Sequence, residues 1–429
     1  MKTVLHRLQD KKDSSEMLKT EDGSQVCFTQ PSYIAYQCPD ACHSKPDLRR
    51  VMSTLIRQLT REDYLNVYFT NDSIEFLTKS EEKVYKTFEK LKKSKLKSYV
   101  TTVKNAANHE IVRLKLQTLN SSFGYNTFIN ASTINNKLNS LVFNKITPHI
   151  GLMYFARFIE SAEIAVLFSE KEEQLEGEVY GLQCLEDVGN ETAAFTLNKW
   201  INMLKDKQGR KSKSFEETKM KFDQFLRSLL FRVLFTLCAI QTVHPSFRHN
   251  DLHLENLIMS EFAKKSGFCS YITQDGEIFV LENSLGNVSI IDFGWSSLEG
   301  VQNLGLNMGP NLYVDVNKLF NHLYLMLHKH AYFVNPQVWK FITGCVPPLY
   351  RIGLKASKNV ESATNMSIWS PHSEFMILYE EQRFINPNSN EIGKPLPNFV
   401  SSHILLKDPI FHIFKSKEKV DEIFTIPKK

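Results

Sequence analysis

The sequence predicts an α+β protein in which a strand-rich part precedes a larger, helix-rich part. Short segments with alternating β-branched residues, such as SYVTTV and EIVRLKLQ, are frequent in residues 96–188 and are typical of strands. Residues 134–146, INNKLNSLVFNKI, predict one helix among them. Residues 189–429 carry apolar residues at helical spacing, with a long apolar helix expected over 222–241. This order of elements favours an α+β arrangement.

Residues 1–95 are predicted to form an N-terminal extension. From residue 47 to residue 88 the apolar residues recur at roughly helical spacing, so this extension is expected to be helical. A lysine-rich stretch over 90–98 follows, and we interpret it as a solvated linker or helix face. The expected parts of the chain are therefore an extension (1–95), a small strand-rich part (96–188) and a large helical part (189–429).

Composition and charge are those of an ordinary globular protein. Apolar residues make up 42% of the 429 residues and charged residues 23%, so the chain as a whole is not expected to be disordered. The formal net charge of +5 is only mildly basic, and it does not predict a stable nucleic-acid complex.

Cysteine usage and hydropathy predict a reduced, intracellular protein. The seven cysteines are odd in number and irregularly spaced, which is a poor pattern for a disulfide framework. Cys38, Cys42 and His43 resemble half of a zinc site, but no matching second half is evident. The most apolar stretch, 228–243, is shorter than a membrane span, so we expect a buried helix there.

Two segments carry residues suited to phosphoryl transfer: FRHNDLHLENLI at 247–258 and VSIIDFGWSS at 288–297. The carboxylate of Asp251 suits the task of orienting an acceptor hydroxyl and taking its proton. The amide oxygen of Asn256 and the carboxylate of Asp292 are hard ligands that suit Mg²⁺. Transfer from a nucleotide requires both tasks, because the metal bridges the phosphates while the base acts on the acceptor.

These segments resemble the catalytic loop and the Asp-Phe-Gly motif of protein kinases. The first motif stands here as His249-Asn250-Asp251 with Asn256, and the second begins at Asp292. The resemblance implies a bilobal protein-kinase-like fold, with a small antiparallel β-sheet lobe, a larger helical lobe, and ATP and Mg²⁺ as cofactors. It is most specific between residues 222 and 320.

Two details relate the chain to atypical kinases. His253 replaces the catalytic-loop lysine of ordinary kinases, and the resulting Asp-Leu-His is similar to haspin and to aminoglycoside- or choline-kinase-like enzymes. The segment YITQDGEIFVLEN predicts a β-hairpin that turns at Asp275-Gly276. Haspin and the kinase-like proteins of large nucleocytoplasmic DNA viruses carry a similar hairpin, and the chain looks most like those viral proteins.

Downstream of Asp292 the resemblance continues. Tyr313-Val314-Asp315 resembles the start of a large-lobe helix, which implies that Asp315 accepts backbone N–H bonds from the catalytic loop. The intervening segment is short and lacks Ala-Pro-Glu, so control by its phosphorylation is not expected. Residues 403–414 resemble the closing helix of a kinase large lobe.

The expected small lobe departs from the kinase pattern. Lys115 is the best candidate for the strand lysine that anchors ATP, and an exposed strand lysine is an equally good interpretation. No glycine lies between Gly23 and Gly124, so a glycine-rich phosphate loop is missing. Residues 116–159 contain no Asp or Glu to pair with Lys115, although an asparagine of the predicted helix could bond it: Asn135, Asn136 or Asn139.

Two further assignments concern the nucleotide. A rival alignment takes 121–126 as the phosphate loop, with Lys137 or Lys145 as the lysine. The hinge that reads adenine is expected over 183–187, where Gln183 and Leu185 are the candidate cofactor contacts. Backbone groups do most of that reading, so ordinary core packing is the alternative role for these side chains.

The sequence therefore predicts an ATP- and Mg²⁺-dependent phosphotransferase, in the form of a divergent serine/threonine protein kinase. The alternatives are a pseudokinase that binds or scaffolds, suggested by the degenerate small lobe, and a small-molecule kinase, suggested by Asp-Leu-His. The expected partner is a protein substrate of unknown identity, without a membrane span. The expected location is intracellular, in the host cytoplasm or the virion if the protein is viral.

Overall fold

The computed structural model describes residues 16–19, 25–28, 33–35, 66–69, 74–77, 83–87, 92–93, 98–105, 111–119, 122–160, 179–186, 188–189, 191–208, 213–260, 267–301, 313–346, 402–420 and 422–428. The chain divides into two compact units. The first comprises Met1–Phe143 and Gly151–Asp187, and the second comprises Asn144–Ile150 and Val188–Lys429. The lobe boundaries at residues 96 and 188 stay predictions.

In its described residues, the first unit contains a large antiparallel sheet and one long helix. Its elements are β1 (Glu16–Lys19), β2 (Gln25–Phe28), β3 (Tyr33–Ala35), β4 (Asn66–Phe69), β5 (Ile74–Leu77), β6 (Lys83–Thr87), β7 (Lys92–Lys93), β8 (Ser98–Asn105), β9 (Ile111–Thr118), α1 (Ser122–Phe143), β10 (Met153–Glu160) and β11 (Val179–Glu186). The described strands of the sheet run in the order β3-β10-β11-β9-β8-β6-β5-β4, and β7 pairs with β8. Strands β1 and β2 form a separate hairpin.

Part of the N-terminal extension is strand rather than the expected helix. Strands β4, β5 and β6 lie within the segment whose apolar spacing predicted a helix, and they pair in the same sheet as β8 and β9. Their sequences, NVYF, IEFL and KVYKT, are rich in β-branched and aromatic residues, which suit a pleated surface. Over such short segments, helical spacing arises by chance. Residues 36–65, which include Cys38, Cys42 and His43, lie outside the described residues.

Helix α1 is longer than the sequence indicated. It begins at Ser122, whereas the expected helix began at residue 134. The sequence did not predict the first turns because they carry Asn, Ser and Gly, which have low helix propensity. Packing compensates for this: Phe128 is 1% exposed, and a Cβ atom added at Gly181 of β11 would lie 2.4 Å from its ring. Glycine at 181 therefore lets the helix lie close against the sheet. The helix ends before Lys145, which has a left-handed backbone (φ 54°).

The second unit contains most of the helices. Its helices are α2 (Ala193–Gln208), α3 (Lys213–Val243), α4 (Tyr313–Leu327), α5 (Pro336–Cys345) and α6 (Ser402–Leu405). Its strands are β12 (Leu257–Met259), β13 (Phe268–Ile272), β14 (Ile278–Glu282), β15 (Val288–Ile290) and β16 (Glu422–Thr425). Four 3₁₀ segments are described: Leu254–Asn256, Phe293–Trp295, His328–Phe333 and Pro409–Phe414.

Helix α3 forms the core of the second unit. Among the described residues it is the one helix long and apolar enough to cross a membrane, and 89% of its apolar window is buried within the protein. Burial of this kind is that of a core helix. The helix also runs further than the predicted 222–241, since its first turns are polar and look like a loop in the sequence. Helix α2 ends at Gln208 and α3 begins at Lys213, so both helices extend into the basic segment 205–214.

A buried arginine joins α3 to the hairpin β13–β14. The guanidinium of Arg232, which is 0% exposed, donates hydrogen bonds to the carbonyl oxygens of Glu282 (2.6 Å) and Leu285. It also donates to the Tyr271 hydroxyl (3.2 Å), and that hydroxyl lies 2.9 Å from Nε2 of His149. Buried polar groups need such partners, so this network fixes the hairpin against the core helix.

The hairpin itself agrees with the prediction. Strands β13 and β14 are antiparallel, and the turn between them contains Asp275 and Gly276, whose φ of 84° favours glycine. Strand β16, near the end of the chain, adds to β13 in parallel. The expected closing helix over 403–414 is present as the short helix α6 and the 3₁₀ segment Pro409–Phe414.

Candidate functional site

The segment 247–256 connects helix α3 to strand β12 and carries Asp251. Phe247 and Leu252 are 0% exposed and anchor this segment on either side of Asp251, whose side chain is 23% exposed. The 3₁₀ segment Leu254–Asn256 then leads the chain into β12. The local packing therefore leaves the Asp251 carboxylate at a partly accessible position on a well-anchored loop.

The carboxylate of Asp315 holds the backbone of this loop. Asp315 lies in the first turn of helix α4 and is 0% exposed. Its Oδ2 accepts a hydrogen bond from the backbone N–H of His249, and its Oδ1 accepts one from that of Asn250, both at 2.8 Å. Hydrogen bonds to an ionised acceptor are stronger than neutral ones. The structural role predicted for Asp315 is confirmed.

Strand pairing brings the chain before Asp292 next to the same loop. Strands β12 and β15 are antiparallel, and the Ile291 N–H donates to the carbonyl oxygen of Asn256 at 3.1 Å. The Ile291 carbonyl lies 3.0 Å from Nε2 of His249, which must donate because a carbonyl oxygen only accepts. Asp292 follows directly, so the two motifs, which are distant in sequence, are adjacent in the fold.

The backbone at Asp292 turns sharply. Its φ of 63° and ψ of 73° are left-handed, a conformation uncommon outside glycine and better tolerated by Asp and Asn. Phe293, which is 1% exposed, packs inward with its ring centre 5.2 Å from that of His249. This inward packing fixes the chain direction immediately after Asp292.

Both oxygens of the Asp251 carboxylate have polar neighbours. Oδ1 lies 3.2 Å from Nζ of Lys318, which belongs to helix α4. Oδ2 lies 3.4 Å from Nδ2 of Asn256 and 3.5 Å from Nε2 of His253. The other ring nitrogen of His253, Nδ1, accepts the Glu255 backbone N–H at 3.2 Å, and Nε2 also lies 3.2 Å from Nδ2 of Asn256.

These neighbours favour the ionised form of Asp251. Burial raises the pKa of its carboxyl group, but the hydrogen bond from His253 and the charge of Lys318 together lower that pKa well below its ordinary value. Asp251 is therefore a carboxylate at neutral pH and can accept a hydrogen bond from a hydroxyl group. This is the protonation state that the sequence analysis required of a base.

The donor atoms of Asn256 and Asp292 fit a hard divalent cation. The Asn256 amide nitrogen donates to the Asp251 carbonyl oxygen at 2.9 Å, which turns its Oδ1 away from that carbonyl. Asn256 is 9% exposed. One amide oxygen and one carboxylate suit Mg²⁺, which keeps several water or phosphate ligands. No cluster of three or more His, Cys, Asp or Glu residues suited to a metal occurs in the described parts of the chain.

A second histidine lies behind the loop. Nδ1 of His322, on α4, accepts the Leu254 backbone N–H at 3.2 Å, and its ring centre lies 6.0 Å from that of His253. Burial, with a smaller contribution from the positive charge of His253, lowers the pKa of His322 to about 3. The ring is therefore neutral and serves as a partly buried acceptor for the loop backbone.

His322 is expected to make the fold sensitive to acid. An unfolded histidine has a pKa of about 6.5, so the unfolded chain binds the proton more tightly and stability falls as the pH drops from about 6.5 towards 3. We expect His322→Asn, whose Oδ1 still accepts the Leu254 N–H, to flatten this loss by up to about 1.4 kcal/mol per pH unit. Melting temperatures measured from pH 7 to pH 4 check this.

A matched substitution at an exposed histidine provides the control. His412→Asn changes a side chain that lies at the surface, so its melting curve should follow that of the wild type across the same pH range. The ionisation of Asp251 adds acid sensitivity only at lower pH, below about 4, where unfolded aspartate binds protons. Equal acid sensitivity of the His322→Asn variant and the wild type contradicts the prediction.

The candidate nucleotide residues Lys115, Gln183 and Leu185 belong to the first unit. Lys115 lies on β9 directly opposite Gln183 on β11, so their side chains share one face of the sheet. On that face the Gln183 amide donates to the Ser132 hydroxyl of α1 at 2.8 Å. Leu185 packs against the core cluster around Tyr125. Lys115 therefore lies on the face that α1 covers, while the nucleotide contacts of all three residues stay predictions.

The rival alignment of the phosphate loop is wrong. It required a loop over 121–126, but the described residues of that segment, 122–126, form the first turns of helix α1. Lys137 is exposed in the middle of the same helix, and Lys145 follows its end. The first N–H groups of a helix lack partners within it, but they point along one axis and do not form the loop that this alignment required. Lys115 stays the predicted strand lysine.

Two residues at the site were missed by sequence reasoning. Lys318 contacts Asp251, and His322 supports the loop backbone. Both follow Asp315 on α4: Lys318 is three residues after Asp315, and His322 is four residues after Lys318. These spacings place the three side chains on one helix face. This spacing was visible in the sequence once Asp315 had been assigned to a helix facing the loop.

Comparisons with known proteins give a limited match. No protein-family model matches the chain. Over 143 residues it is 23% identical to a protein of Acanthamoeba polyphaga mimivirus that is provisionally named a serine/threonine-protein kinase. That match covers 29% of this chain and 30% of the relative, so the chain spans less than a third of the relative's length. A crystal structure of a kinase domain aligns over 77% of this chain and 95% of its own, with 12% identity and a TM-score of 0.32.

The sequence match supports a protein-kinase-like phosphotransferase. It is consistent with the loop geometry around Asp251, which stands independently of it, and with the mixed α and β content of the chain.

Proposed function

We propose that the protein is an ATP- and Mg²⁺-dependent phosphotransferase, a divergent protein kinase that transfers the γ-phosphate to a serine or threonine hydroxyl group of a protein. One observation carries the proposal: the β12–β15 pair and the Asp315 carboxylate bring Asp251, Asn256 and the chain at Asp292 together. A base and two oxygen ligands for a metal are the parts that phosphoryl transfer requires from the large lobe of a kinase.

The residues of the chain have distinct proposed roles. Asp251 accepts the hydrogen bond of the acceptor hydroxyl and takes its proton as the phosphate is transferred. Asn256 and Asp292 would hold Mg²⁺, which, when bound, neutralises charge on the phosphates. Lys115 would anchor the phosphates from the strand that corresponds to the third strand of a kinase sheet. Gln183 and Leu185 would border the adenine.

The location of Lys115 supports that assignment. Strands β6, β8 and β9 are neighbours in one antiparallel sheet, although β7 lies between β6 and β8 in the chain, and Lys115 lies on β9. In protein kinases the phosphate-anchoring lysine is on the third strand of the sheet. Its side chain lies on the face covered by helix α1, as indicated by its register with Gln183.

Transfer of label from γ-labelled ATP is the direct test. We expect the wild-type protein to label a mixed protein acceptor or itself, with label on serine or threonine, and to lose this activity when EDTA removes Mg²⁺. Parallel reactions offer sugars, aminoglycosides and choline as acceptors. Label on a small molecule alone would replace the protein kinase with a small-molecule kinase, and absence of any transfer would contradict both.

A pseudokinase is the second candidate, and two features of the sequence favour it. In kinases a glycine-rich loop covers the ATP phosphates. The connection between β6 and β8, where that loop is expected, has no glycine, and helix α1 contains no Asp or Glu to pair with Lys115. A pseudokinase that still binds nucleotide would show a higher melting temperature with ATP, by mass action, and no transfer of label.

The proposal also includes the location of the protein and the kind of partner it acts on. The described cysteines Cys184, Cys238, Cys269 and Cys345 are buried and free, which suits a reducing compartment. We propose an intracellular location, in the host cytoplasm or the virion, since the similar protein is viral and the chain resembles kinase-like proteins of large DNA viruses. A protein acceptor is proposed as the partner, with neither a stable nucleic-acid complex nor a membrane span.

A further inference from the structure

Lys318 is a nearly buried cation next to the proposed base. It lies on helix α4, its side chain is 13% exposed, and its Nζ is 3.2 Å from Oδ1 of Asp251. Burying a lysine side chain to this extent has a cost in desolvation and in side-chain entropy. The lysine charge is therefore kept beside the Asp251 carboxylate despite an energetic cost, which suggests that it has a role there.

The position of Lys318 is set by the same helix that supports the loop. Asp315, one helical turn earlier, accepts the backbone N–H groups of His249 and Asn250. Residues three apart lie on one face of a helix, so the bonds that fix Asp315 also aim Lys318 at the loop. The buried hydrogen bonds of Asp315 therefore fix the pairing of Lys318 with Asp251, unlike an ordinary ion pair between mobile surface side chains.

The contacts divide between the two carboxylate oxygens. Lys318 approaches Oδ1, whereas Asn256 and His253 approach Oδ2. Each carboxylate oxygen has about two acceptor sites, so the single contact on Oδ1 leaves capacity there for a hydroxyl group. The cation thus fixes the rotation of the carboxylate without using up its capacity to accept.

We propose that Lys318 is a positioning residue for Asp251, which sets the orientation of the carboxylate that receives the acceptor proton. Helix α4 thereby supplies a cation to a loop that has His253 where ordinary kinases have lysine. The proposal rests on the proposed function, because positioning a base has a consequence only if Asp251 acts as one. It assigns a role to a residue outside both motifs.

The test compares Lys318→Met and Lys318→Arg with wild type. Methionine keeps the length and apolar stem but removes the charge, so we expect kcat to fall about 10- to 100-fold, as misplacing a catalytic group does. KM for ATP should stay unchanged, since Lys318 acts through Asp251 and not on the nucleotide. Arginine keeps the charge and should recover part of kcat. Lys340→Met, at an exposed position of α5, is the matched control and should behave as wild type.

The outcomes separate this proposal from the proposed function. Wild-type transfer that Asp251→Asn removes, with kcat of Lys318→Met unchanged, overturns the positioning role alone. An equal fall in kcat for the Met and Arg variants, both melting as wild type does, overturns it as well, because the charge would then be irrelevant. Absence of transfer by the wild type overturns both proposals. If Lys318→Met does not fold, Lys318→Gln replaces it with the same expected result.

Discussion

Replacement of Asp251 by asparagine is expected to lower the rate of phosphate transfer by about 10²- to 10⁴-fold, the contribution typical of a general base. Asparagine has almost the same shape and still accepts a hydrogen bond at its Oδ1, but it takes no proton from a hydroxyl group. Lys318 and His253, which stabilise the ionised carboxylate, would then face a neutral amide. Initial rates of label transfer, together with melting temperatures, check the prediction.

Asp206→Asn provides the control for this experiment. Asp206 is an exposed aspartate on helix α2, so its replacement changes the same functional group away from the site. We expect its rate and its melting temperature to match the wild type. The Asp251→Asn variant should keep ATP binding, since the proposed metal ligands remain. Transfer at the wild-type rate by Asp251→Asn would show that another group acts as the base.

Asp315→Ala is expected to have the largest effect on stability. The substitution leaves the buried backbone N–H groups of His249 and Asn250 without their acceptor, and each unsatisfied buried donor costs about 1–3 kcal/mol. We therefore expect the free energy of unfolding to fall by about 2–6 kcal/mol, as measured by denaturant titration. Transfer should also be lost, because the loop that carries Asp251 would no longer be held.

A graded series makes the reason for this loss testable. Asp315→Asn keeps one acceptor oxygen and loses the charge, so its stability should lie between those of the wild type and Asp315→Ala. Asp206→Ala, at the surface of α2, should change the free energy of unfolding by less than about 0.5 kcal/mol. An Asp315→Ala protein as stable as the wild type would mean that the two backbone bonds contribute little to the fold.

The parts of the site that the sequence predicts are those encoded in short segments. The catalytic-loop residues and Asp292 stand in motifs whose spacing reflects one loop and one strand end, and the hairpin is marked by Asp275-Gly276. Asp315 could be assigned because it begins a helix with a recognisable pattern. In each case a short segment of sequence contains the residues that define the loop, the turn or the start of the helix.

What the sequence could not predict depends on tertiary contacts. The first turns of helix α1 are poor in helix-forming residues, and packing of Phe128 against Gly181 decides their structure. The strands β4 to β6 are defined by their neighbours in the sheet rather than by periodicity. Lys318 was overlooked because its partner, Asp251, lies 67 residues away in the chain.

The parallel pairing of β16 with β13 has a consequence for the order of events during synthesis. Cys269 of β13 meets Glu422 of β16 across 153 residues, so the middle strand of this three-stranded sheet lacks one neighbour until the chain beyond Thr425 has left the ribosome. Contacts this distant form slowly because a long loop must close first. The three-stranded sheet would therefore be completed late, after the hairpin of β13 and β14 that Arg232 ties to the core helix has already formed.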